Sequence, residues 1–206
     1  MERLFRAGSM ADSLYLNLWF ADFGTDEMFA HALSVIHQFP FSAQLHGITN
    51  LSLHPVSWDE ATILEQRFRP GVAPEEAIAV ASELLHEDYA YAFEGNWDLW
   101  SPQTPNGDWA LQPAPVGFIV RGEEFEDGES KTQGEVQVDF GPDIPFLHEE
   151  LRLTAEIESR VRANVQMLVD FTNGVANNSA ATARLLWSES DENFAQKLVS
   201  RLQRVQ

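Results

Sequence analysis

The chain has no cysteine. That single absence excludes disulfides, thiolate metal centres, iron–sulfur clusters and a cysteine nucleophile together. Bases are scarce as well: 13 Lys and Arg stand against 32 Asp and Glu, for a formal charge of -19. Binding to phosphate backbones and anionic membranes depends on Lys and Arg. This balance therefore points away from nucleic acid and membrane surfaces and towards a basic protein partner or cations. The commoner use of acidity is solubility alone. No apolar run approaches the roughly 18 residues of a bilayer span. Met1 to Arg6 lack the apolar core of a secretory signal, so a cytoplasmic location is expected. Gly8-Ser9-Met10 has the look of a cloning junction, and residues 1–9 are treated as an arm outside the fold.

Signatures of chemistry are missing too. The chain has no Gly-x-Ser-x-Gly elbow, no Walker loop and no dinucleotide glycine fingerprint. Its six histidines include no His-Glu-x-x-His pair, and His31 and His37 stand about 240° apart on a helix. No metal site, cofactor or catalytic residue is therefore expected. Asn50-Leu51-Ser52 and Asn177-Asn178-Ser179 spell glycosylation acceptors, but without a secretion signal the spelling carries no weight.

What is present is an echo between the two ends. Leu18-Trp19 precedes Thr25-Asp26-Glu27-Met28-Phe29-Ala30, and Leu186-Trp187 precedes Ser190-Asp191-Glu192-Asn193-Phe194-Ala195. Each copy reads as a strand, a hydroxyl N-cap, two acids that favour the positive end of a helix, and an amphipathic helix. Capping explains the paired acids without chemistry, so the echo speaks for architecture.

Strands are expected at Leu14–Phe20, Ile48–Trp58, Thr62–Phe68 and Tyr89–Phe93, with helices after Thr25 and from Pro74. Pro74 suits a first helical position, and Glu75 and Glu76 follow it in the first turn. That order is the split βαβ of a ferredoxin-like unit. Further strands are expected at Val116–Phe125, Gly134–Phe140 and Thr182–Trp187, a long helix from His148 to Ala176, and a last helix from Asp191. Along the long helix Glu156/Arg160 and Glu158/Arg162 are spaced as i,i+4 pairs. In the last helix Lys197, Arg201 and Arg204 would favour its negative C-terminal end. The expected architecture is α+β, with two ferredoxin-like halves (βαββαβ, then a permuted ββαβα), each an antiparallel sheet with helices on one face. The halves are 10–101 and 116–206, and 102–115 is a Pro/Trp-rich linker with a turn at Asn106-Gly107.

Two regions are candidate binding surfaces. Trp97, Asp98, Trp100, Asp108 and Trp109 combine indoles with carboxylates. They could stack on a flat ligand, anchor an interface, or pack the linker, which is the commonest fate of such residues. Glu123, Glu124, Glu126 and Asp127, with Glu129, form the densest acidic run. They lack the spacing and central glycine of an EF-hand, so a solvated charge run and a surface for a basic partner are the competing readings. The leading expectation is a non-catalytic, acidic protein-binding module, of the inhibitor or immunity type, for a basic partner. The alternative is a small-ligand binder or enzyme with its site between the two halves, near the Trp-rich loop. A homodimer through an uncovered sheet face is a further expectation.

Overall fold

Alternation of apolar and polar residues sets the first layer. Leu14, Leu16 and Leu18 are buried on one side of strand β1 (Ser13–Phe20), and Tyr15 and Trp19 point to the other. The same period recurs in β2 (Ile48–Pro55), β4 (Tyr89–Pro102), β5 (Trp109–Arg121) and β6 (Val136–Pro142). It places Leu51, Leu53, Tyr91, Phe93, Trp97, Phe118, Val120, Val136 and Val138 in one core. Helices α1 (Met28–Ile36), α2 (Pro74–Ser82) and α5 (Ala155–Asn178) lie on that core through Met28, Ala32, Val35, Ala77, Ala81, Leu168, Phe171 and Val175. The computed structural model describes residues 11–103, 108–149, 151, 154–189 and 194–203. The 1–9 arm, the Asn106-Gly107 turn, Ser190-Asp191-Glu192 and Arg204 fall outside the described residues.

The protein is mixed α+β, but its strands make one sheet. Short β3 (Leu64–Arg67) and β7 (Ala181–Ser188) form the edges of a seven-stranded antiparallel sheet in the order β3-β2-β4-β5-β6-β1-β7. This corrects the expectation of two ferredoxin-like halves with a sheet each. A self-contained unit over residues 12–100 would close its four strands on one another. Instead β1 lies between β6 and β7, and the β4–β5 and β5–β6 pairings carry hydrogen bonds across the expected boundary. The echo has a spatial counterpart, since β1 and β7 pair with Leu16 opposite Leu186 and with Trp19 and Trp187 near opposite ends of the ladder.

Of the expected 102–115 linker, Pro102 lies in β4 and residues 109–115 lie in β5, and the two strands pair out to Pro102 opposite Trp109. Pro113 faces Asp98 and Pro115 faces Asn96 across that pair. Proline is tolerated there because β5 pairs with β6 only from Gly117 onward. Before that point its outer side has no ladder to donate to.

The helix ends are set by different devices. α2 begins at Pro74 with Glu75 and Glu76 in its first turn. α5 begins at Ala155, where the Thr154 hydroxyl accepts from the Ile157 N–H, and two short helices precede it, α3 (Ser130–Gln133) before β6 and α4 (Ile144–Leu147) after it. Both expected ion pairs on α5 form at 2.6 Å. α1 starts only at Met28 and has no side-chain cap. Thr25, Asp26 and Glu27 form a turn in which the Glu27 and Met28 amides donate to Gly24 O. α6 (Phe194–Gln203) buries Phe194 against Phe146, and its Lys197 reaches Asp12 and Asp143.

Candidate functional site

The alternating strand directions sort the connections into two groups. β1, β2 and β5 end where β3, β4, β6 and β7 begin. Four segments distant in sequence therefore meet at one end of the sheet: 21–27, 56–63, 83–88 and 122–135. Each carries at least two acids, and Lys131 is the sole base among them.

Backbone hydrogen bonds knit three of these segments together. The Val56 amide donates to Asp88 O at 2.7 Å, the Glu124 amide to Glu87 O at 2.9 Å, and the Glu126 amide to Val56 O at 2.9 Å. Gly122 permits this closeness, because a Cβ there would lie 2.1 Å from Glu87 O. Val56, Glu126 and Asp127 all adopt left-handed backbone, with φ of 58°, 49° and 53°. For a β-branched residue such as Val56 that conformation is a true outlier.

On the β2–β3 side of this acidic pole sits Trp58, 37% exposed, with Val56 53% exposed nearby. The indole packs edge-on against buried Phe125 at 5.0 Å and lies 4.9 Å from His54. Its backbone N–H donates to Glu126 Oε1 at 2.8 Å, and Nε1 donates to Glu129 Oε2 at 3.2 Å. Glu123, Glu124 and Asp127 are exposed around it, as are Asp59 and Glu60.

A buried polar chain supports the pole from below. Arg121 is 3% exposed and donates through Nε to Glu129 at 3.0 Å, through Nη2 to Gln137 at 2.9 Å and through Nη1 to Gly134 O at 3.3 Å. Gln137 in turn donates to Asn17 Oδ1 at 2.8 Å. Burial lowers the Arg121 pKa, and the Glu129 carboxylate beside it pulls it back up. A second anchor is Glu135, which accepts from the Phe20 amide at 2.6 Å and whose pKa is raised mainly by burial.

The Trp-rich candidates lie at the other end. From the Ala90–Arg121 pair to the Trp100–Leu111 pair is ten residues of hairpin, roughly 33 Å. Trp97 is fully buried between Phe39 and Phe140, at 5.5 and 5.4 Å. Asp98 is occupied by Ser42 Oγ at 2.6 Å and the Ala43 amide at 2.9 Å. Trp100 is clamped by Asn164, which accepts from its N–H at 2.8 Å and donates to its carbonyl at 2.9 Å. Arg160 lies over both Trp100 and Trp109, at 5.3 and 5.9 Å, and His148 meets Trp109 edge-on at 4.8 Å. Asp108 is exposed, and its carbonyl accepts from Gln103 N at 3.0 Å. Next to this cluster is a cavity of about 350 Å³ with mostly apolar walls, including Pro102, Ile144, Leu147 and Leu151, with Asp143 and Glu149 also on its lining.

The fold thus separates the residues singled out in the sequence into two groups and brings no carboxylate of the acidic run near an indole of the Trp-rich arm. Trp58, Val56 and Arg121 were not among the candidates. The available signal was Pro55 followed by Trp58-Asp59-Glu60, which marks the end of a strand and a turn that pairs an aromatic with acids. Among the described residues, no group of three or more His, Asp or Glu side chains is placed to hold a metal ion, and no helix is long and apolar enough to cross a membrane. No protein-family model, curated protein or solved structure matches the chain.

Proposed function

We propose that this protein is a non-catalytic binding module whose acidic pole engages a basic protein, as an inhibitor or immunity-type protein does. One observation carries the reading: three acidic connections, 56–63, 83–88 and 122–135, are hydrogen-bonded together beside an exposed Trp58 that is held in place by hydrogen bonds on both its backbone and its ring. An aromatic anchor ringed by charges of one sign is a common arrangement for a binding hot spot and its rim. The acids would accelerate encounter with a positive surface, and the indole would supply the short-range contact. The test is affinity capture from cells of the source organism with the wild-type chain and with a Glu123→Gln, Glu124→Gln, Asp127→Asn triple variant. A basic protein retained by the first and lost from the second supports the proposal; equal retention by both, or none by either, contradicts it.

The second reading, a small-ligand site, is favoured by the cavity beside Ile144 and Leu147. A pocket of this size with an apolar lining and two carboxylates suits a compact amine. Ile144→Trp would fill it. An amine whose thermal stabilisation of the wild type disappears in that variant supports this reading, and the absence of any shift across an amine panel removes it.

A further inference from the structure

The two edges of the sheet are built differently. β3 is only four residues long and exposes Glu65 and Arg67, so it is short and charged, as protected edges usually are. β7 has eight residues, no proline and no acid, and among the described residues it pairs with β1 alone. Its register against β1 is regular from Leu14 to Trp19. Leu185 is 51% exposed and Leu186 37%, one on each face of the strand. An edge of this kind presents an unprotected row of backbone donors and acceptors flanked by apolar side chains.

We propose that β7 is the seam of a homodimer, in which two copies pair their β7 strands antiparallel about a two-fold axis at Leu185 and join two seven-stranded sheets into one. Charge selects the occupant. In a chain of net charge -19, two copies repel one another over most of their surface, yet Ala181 to Ser188 carries only Arg184. That strip offers nothing to attract a basic partner and no acid to repel a second acidic copy. Centring the pair on Leu185 sets Leu185 against its own copy, Arg184 against Leu186 of the second copy, and Ala183 against Trp187 of the second copy. Like charges are never opposed, whereas an axis at Arg184 would face two guanidiniums. The sheet face opposite the helices is a poorer seat where Asn17, Gln137 and Arg121 lie, because these side chains are buried and Gln137 is hydrogen-bonded to both of the others. The seam is also separate from the acidic pole, so either proposal can fail without the other.

The absence of cysteine makes the test direct. Sedimentation equilibrium of the full chain should give the mass of two chains, and Leu185→Lys should give one with an unchanged circular dichroism spectrum. Leu185→Cys introduces a lone thiol that faces its copy across the seam and should oxidise to a covalent dimer. Ala183→Cys places the two thiols four residues apart along the seam, roughly 13 Å, and should not. A wild-type chain that is monomeric at its highest soluble concentration overturns the proposal. So does a dimer that cross-links as readily at position 183 as at 185.

Discussion

At one end of the sheet, tryptophans are consumed by packing; at the other, a tryptophan is held out to solvent. Trp97 is fully buried, Trp100 is gripped by Asn164 through both of its backbone groups, and Trp109 is covered by Arg160 and His148. Trp58 at the acidic end is fixed just as firmly, yet its hydrogen bonds run to Glu126 and Glu129 and leave it 37% exposed. The contrast shows that aromatic density is a poor guide to a binding surface. What distinguishes the two ends is whether local order is used to fill the interior or to present a side chain. The acidic end also accepts left-handed backbone at Val56, Glu126 and Asp127, a cost of order 1–3 kcal/mol for each residue.

Substitutions at the two ends should differ in what they cost. The largest effect is expected for Arg121→Ala. It removes the buried cation beneath the acidic pole, takes the guanidinium's hydrogen bonds from Glu129, Gln137 and Gly134 O, and should cost about 3–5 kcal/mol in denaturant unfolding. A loss below 1 kcal/mol would show that the polar chain does not hold the pole. At the aromatic end, Asn164→Ala should cost about 2 kcal/mol, because the Trp100 N–H and the Trp100 and Pro145 carbonyls lose their partner together. Equality of these two losses would weaken the distinction between an ionic support and a neutral one.

Val56→Gly should act in the opposite direction. Relief of the left-handed valine outweighs the added freedom of glycine in the unfolded chain, for a gain of about 1 kcal/mol. If the midpoint of unfolding moves down instead, Val56 contributes more through its contacts than its conformation costs.

The smallest effect concerns pH. Burial, reinforced by Glu189, raises the Asp139 pKa above its ordinary 3.8. The folded state therefore favours the protonated form. This contribution to stability is fully present below about 3.8 and is lost as pH rises through the folded value. Asp139→Asn keeps an acceptor for the Gly141 amide and removes the ionisation. Its advantage over wild type should appear on raising the pH and vanish in acid, as measured by unfolding midpoints across the acidic range. A constant difference at every pH would remove Asp139 from the account.

The sequence revealed the local features of the fold. Pro74 with Glu75 and Glu76 marked the start of α2, and the spacing of Glu156 to Arg160 and Glu158 to Arg162 marked ion pairs that form. The long hairpin was hidden because Pro113 and Pro115 read as linker residues. Only the absence of β6 beyond Gly117 makes them admissible in a strand. The single sheet was hidden for a similar reason: β1 pairs with β6 and β7, more than a hundred residues away, and no local pattern encodes that pairing. Of the candidate surfaces, the acidic run was legible as charge. Its relation to Trp58 was not, because Glu126 and Glu129 are 68 and 71 residues away from it along the chain. Arg121 and Asn164 gave no signal at all, since a polar residue destined for burial looks like any other until its partners are in place.

In the proposed binding mode, the acids at this pole govern encounter while Trp58 governs retention. Stopped-flow association of the captured basic partner with wild type and with Trp58→Ala, across a series of salt concentrations, separates those roles. The association rate should fall steeply with salt and equally for both proteins. Trp58→Ala should raise the dissociation rate by an amount equivalent to about 2 kcal/mol. An association rate indifferent to salt, or a dissociation rate indifferent to Trp58, would contradict the account.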